Sequence, residues 1–287
     1  MSDNGSNNTR SLGLLFTIRE NDTWRSRVTF LFLEAVLFTS LALLVPYAMG
    51  IAEVGFFSLF LMAASLTQRL RHLLDENAIN IYERQRGFWL SNTITGVSLF
   101  SMFAGIMSVY ALAAGTIGSQ SIQTFFGFAL EAAQLGDSDL LTRRFGHPMQ
   151  IFEHNAMVLV AVWLLSLVYG SYGAVIALGW NACVWAFVLI TLVHRAAEGL
   201  DATPATLILT TVLGLLPHLI IEGLGYVLAS ISGLFLDRGW ARYSWGDPIL
   251  NEVIWACTRL VLISLALLGG AALLETLYAP WVIGRLQ

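Results

Sequence analysis

The sequence predicts an all-α fold: a polytopic transmembrane helical bundle of about six to eight spans, with amphipathic interfacial helices and a broken or re-entrant element near Pro217. Three observations predict it. Apolar residues make up 56% of the 287 positions and charged residues 12%, against roughly 25% charged in a soluble domain. The mean hydropathy is +0.70. The apolar residues also fall in long uninterrupted stretches of the length that crosses a bilayer, with the charges gathered between them. A soluble enzyme is excluded, because such a chain would leave large apolar surfaces in water. Nucleic acid is excluded as a partner, since the net charge is −4 and the 15 basic residues, all Arg, are scattered rather than clustered.

Taken in order, residues 1–27 form a polar N-terminal segment that lacks the basic-then-apolar order of a cleavable signal. Residues 28–67 carry only Glu34 and Glu53 as charges and are long enough for two crossings, with Pro46 and Gly50 marking the turn between them. Residues 68–287 form the remaining membrane domain. It opens with Gln68 to Arg86, where Leu70, Leu73, Leu74, Ile79 and Ile81 alternate with charges, a pattern that predicts an amphipathic surface helix. Arg69, Arg71, Arg84 and Arg86 on it are candidates for docking a soluble partner, against the plainer alternative of a solvated connector.

One span is expected from Phe88 to about Gly115, then a long polar loop to Glu153. Ile122, Phe125, Phe126, Phe128, Ala129 and Leu130 within that loop suggest an interfacial helix. Asn155 to Val193 holds no charge and predicts two crossings that turn at Gly170, Ser171, Tyr172 and Gly173. Ala202 to Leu236 has Glu222 as its sole charge and a proline in its middle, which predicts a break near Pro217. The last span runs from near Val253 to Tyr278. Arg19, Arg25 and Arg27 precede the first hairpin and four arginines follow it, so both flanks, and the N-terminus, are expected in the cytoplasm of a multi-pass cell-membrane protein.

Ionisable and amide groups inside spans are costly unless paired, which makes them the candidate functional residues. They are His154, Asn155, Asn181, His218, Glu222 and Arg259. His218 and Glu222 are four apart and share a helix face. Arg259 needs an acid, and Glu222 is the expected partner. Small residues recur at helix-contact spacing as Gly173 and Ala177 with Asn181, and as Gly225, Ala229 and Gly233, predicting that these two elements pack tightly against each other. Metal chemistry on His218 and Glu222 helped by His154 has little support, because no paired-histidine helix and no pattern of outer hydrogen-bond partners for such ligands is recognisable. No cofactor is implied, and no serine sits in a Gly-flanked elbow beside a base.

The stretches FEHNAMVLVAVWLLSLVYGSYGAVIALGWNACVWAF and LLPHLIIEGLGYVLASISGLFL, from Phe152 to Leu236, resemble the stage II sporulation protein M family. Asn155, Asn181, Pro217, His218 and Glu222 match its pattern, while Leu219 stands where the family usually has Gly. The resemblance implies a polytopic membrane scaffold of a cell-envelope complex, without chemistry of its own, and implies nothing about sporulation itself. The expected function is accordingly a non-enzymatic scaffold assembling with envelope or other membrane proteins, or with itself. The alternatives are a permease resembling type-2 ABC exporters, which would need a separate ATPase because a chain without Lys has no phosphate-binding loop, and an intramembrane metal-dependent hydrolase.

Overall fold

The structure, a computed structural model, describes residues 24–82, 88–117, 124–129, 147–199 and 204–283. Every regular element among them is a helix: α1 Trp24–Ala48, α2 Val54–Tyr82, α3 Phe88–Thr116, a short α4 at 124–129, α5 Pro148–Gly199, α6 Pro204–Arg242 and α7 Pro248–Ile283. Stretches of α1, α3, α5, α6 and α7 are long and apolar enough to cross a bilayer. The expected membrane bundle is present.

α1 and α2 form the first hairpin, turning at Gly50 with a φ of 69° that a side chain would strain. Its two helices are fastened by a pair of ion bridges. Arg69 holds both carboxylate oxygens of Glu34, each side chain only 4% exposed, and Arg27 meets Glu76 at 2.6 Å. The register is regular: the two charges on each helix are seven residues, or two turns, apart, and the signs are exchanged between the helices. α1 then runs alongside α3, where Ser101 Oγ donates to the Val28 carbonyl at 2.6 Å and a Cβ on Gly105 would sit 2.7 Å from the Phe32 carbonyl oxygen.

The segment expected to lie flat on the surface does not. Residues 68–82 continue α2 without a break, and Leu70, Leu74 and Asn77 are buried along it. Pairing with α1 carries the helix beyond its apolar half. Likewise α4 is packed into the protein rather than against lipid. Phe126 and Ala129 are buried, and the Phe126 ring lies 4.4 Å from that of Phe187. Gly55 is what admits Phe126, because a Cβ there would come within 2.2 Å of the ring.

α5 is two legs, as the glycine-rich turn predicts. Gly170 adopts φ 57° and ψ −140°, a combination open essentially to glycine alone. A Cβ on Gly173 would lie 2.0 Å from the Leu165 carbonyl oxygen, whereas residues eight apart in a continuous helix are about 12 Å apart. The chain therefore doubles back at Gly170. α6, by contrast, is one helix with Pro217 inside it. The expected break or re-entrance is absent, because a proline removes one backbone bond and neighbouring helices hold the rest. α6 and α7 form an antiparallel hairpin, with Gly225 against Ser264 and Leu268, Ser232 on the Cys257 carbonyl and Gly239 against Val253.

Candidate functional site

Two polar regions emerge. The first is a buried ladder within the bundle. On α6, His218, Glu222 and Tyr226 follow one another at four-residue spacing, all 5% exposed or less, and the Tyr226 hydroxyl donates to Glu222 Oε1 at 2.7 Å. The ring of Tyr226 packs 5.9 Å from that of Trp185 on the second leg of α5, and Trp185 in turn meets Phe103 of α3. Gly223 faces the same aromatic group, with Phe100 3.1 Å and Phe103 3.4 Å from where its Cβ would be. Glu222 is therefore buried, with the Tyr226 hydroxyl one turn along α6 as a donor.

The hydroxyls continue the fastening one turn further along α6. Ser166 of the first α5 leg donates to Ser230 at 3.1 Å, Trp163 Nε1 donates to Ser232 Oγ at 3.3 Å, and Ser232 donates to the Cys257 carbonyl at 3.0 Å. Ser230 and Ser232 thus join α6 to the first α5 leg, and Ser232 also joins it to α7. Gly233 makes room for this, since a Cβ there would lie 2.6 Å from the Trp163 carbonyl oxygen.

The sequence-predicted residues divide. Asn155, Asn181, His218 and Glu222 are buried, while His154 is exposed beside Asn155. Asn181 Nδ2 bonds back to the Ala177 carbonyl of its own helix at 2.8 Å. Arg259 is exposed and does not reach Glu222. The antiparallel register explains the miss: Gly225 is level with Ser264 to Leu268, which sets Glu222 several turns from Arg259. The two small-residue faces also do not meet each other. Gly173 closes its own hairpin, Gly225 faces α7 and Gly233 faces the first α5 leg, because α6 lies between these two neighbours; Ala177 and Ala229 are buried. Among the cations taken as docking candidates, Arg69 is enclosed with Glu34, Arg71 is exposed, and Arg84 and Arg86 lie outside the described residues.

The serines, Tyr226, the Glu34 and Arg69 pair and buried Glu275 were not singled out in the sequence. The two charged residues were legible in principle, lying at nearly equal distance from the Gly50 turn. Serines carry no such signal, since most intramembrane hydroxyls bond their own helix.

The second region is a polar cleft of about 430 Å³ at one end of the bundle, lined by Arg71, Asp75, Tyr169, Gly170, Ser171, Asp237 and Arg238 among others. Arg238 bridges to Asp75 Oδ1 at 2.9 Å and donates to the Arg71 carbonyl at 3.4 Å, tying the end of α6 to α2. Among the described residues, no three His, Cys, Asp or Glu side chains are placed to share a metal ion.

Long apolar helices fastened by hydroxyls, an enclosed acid and backbone-close glycines define a polytopic helical membrane protein. Residues 94–280 match the family described as stage II sporulation protein M, well over half of the chain, and the chain belongs to that family. The match begins after the α1–α2 hairpin. Neither a curated protein nor a solved structure matches the chain.

Proposed function

We propose that the protein is a non-enzymatic scaffold of a cell-envelope complex, embedded in the cell membrane with its N-terminus in the cytoplasm. The observation that carries this reading is the use of the intramembrane polar groups: Ser166, Ser230, Ser232, Tyr226 and Glu222 bond one another or a neighbouring backbone within the bundle. Polar groups used this way set helix register. A substrate path would instead need them turned towards water.

The orientation follows from charge. Arg27, Arg71 and Arg238 share the end that holds the cleft, and an excess of Arg marks the cytoplasmic side. Counting α2 and both legs of α5, the chain then crosses seven times and the end of α7 faces outward. Cysteine labelling of intact cells tests this, with a cysteine at Gly127 reactive from outside and one at Asp75 protected.

Affinity purification from gently solubilised membranes tests the scaffold role. Envelope enzymes or structural proteins should accompany the full chain without ATP hydrolysis. Co-purification of a nucleotide-binding subunit whose ATPase the chain stimulates would replace the scaffold by a permease, and metal bound in stoichiometric amount would replace it by a metalloenzyme.

A further inference from the structure

On α7, Glu252, Trp255 and Arg259 lie at spacings of three and four residues and so form one stripe. All three are exposed, Trp255 by 66%, and neither Glu252 nor Arg259 has an ion-pair partner among the described residues. The stripe lies on the open face of α7, next to exposed Ile249, Leu262 and Ile263.

Depth fixes what can meet it. Ser232 is level with Cys257 and Gly239 with Val253, so Arg259 sits about two turns inside the charged end marked by Asp237, Arg238 and the Gly170 turn. Helical side chains lean toward their own N-terminus. For α7 that direction is the charged end, and the long Arg259 side chain reaches back toward it with the guanidinium at headgroup level. Trp240 and Trp245 at the α6–α7 elbow, 44% and 80% exposed with rings 6.0 Å apart, mark the same level as an aromatic belt. A lipid-facing arginine is costly unless it finds an anion, and at headgroup level a lipid phosphate supplies one.

Glu252 lies about 10 Å further outward on the same stripe. Phosphate inside and a cation outside is the order of a zwitterionic headgroup. We propose that this stripe binds a phospholipid with a primary-amine headgroup, of the phosphatidylethanolamine class: Arg259 takes the phosphate, Trp255 packs on the glycerol region and Glu252 accepts from the ammonium. A purely anionic headgroup would meet the Glu252 carboxylate without compensation. A choline headgroup offers no N–H to it.

Native mass spectrometry of the delipidated full chain, titrated separately with phosphatidylethanolamine, phosphatidylcholine and phosphatidylglycerol, tests this. Wild type should prefer the ethanolamine lipid about tenfold. Glu252→Gln should erase that preference over phosphatidylcholine, and Arg259→Gln should weaken all three lipids. Both positions are exposed, and unchanged melting temperatures would show that the variants fold. Equal binding of the three lipids by wild type, or retention of the preference in both variants, overturns the proposal. So does efficient disulfide crosslinking between two copies through Trp255→Cys, which would place a second chain on the stripe.

Discussion

The α1–α2 hairpin and the α5–α7 bundle solve the same problem with different chemistry. Both must hold helices together where apolar burial gives little advantage over lipid. The hairpin uses charge, with Arg27 on Glu76 and Arg69 on Glu34. The bundle, which lies within the family match, uses glycines that let backbones touch and serines that bond across helices. Charge pairing is costly to break, because one partner's loss leaves the other buried. Backbone-close glycine packing is costly to crowd, because carbonyl groups cannot move aside. Neutral hydroxyl bonds are cheap to lose.

These differences order the expected effects of substitution. The largest belongs to Gly173→Ala, whose methyl group would overlap the Leu165 carbonyl at 2.0 Å; we expect destabilisation beyond about 5 kcal/mol, the exceptional end for one substitution, and loss of monodisperse protein on size-exclusion chromatography. Arg69→Ala should follow, at about 3–5 kcal/mol, seen as a lower melting temperature in detergent. The double variant Glu34→Leu with Arg69→Met should recover most of that loss, and no recovery would mean that the pair does more than neutralise charge.

Ser166→Ala should lower stability by about 0.6 kcal/mol, the scale of an intramembrane hydroxyl bond, by the same thermal measurement. Smallest of all, Asp75→Ala should change it by under about 0.5 kcal/mol, since the Asp75 and Arg238 side chains are 64% and 33% exposed and exposed ion pairs contribute little. If Ser166→Ala proved more damaging than Arg69→Ala, the division of the molecule into a charge-fastened and a glycine-fastened part would fail.

Much of the fold was legible because its signals are local. The turns at Gly50 and Gly170 both have positive φ, and both stand between apolar stretches of crossing length. The burial of Asn155, Asn181, His218 and Glu222 also agreed with their surroundings. What was misjudged depended on a neighbour. Pro217 reads as a break, yet α6 continues through it. Residues 68–82 read as a surface helix, yet they extend α2, with Arg69 turned onto Glu34. Glu222 and Arg259 read as partners, yet the α6–α7 register holds them several turns apart.

The sequence by itself determined that the chain lives in a membrane, where it turns at Gly50 and Gly170, and that Asn155, Asn181, His218 and Glu222 are withdrawn from lipid, because hydropathy and glycine conformations are properties of residues and their immediate neighbours. Only the tertiary structure decided which polar group meets which. A helix presents several faces, and sliding one helix past another by a single turn, about 5 Å, exchanges every partner along it while leaving the sequence pattern unchanged.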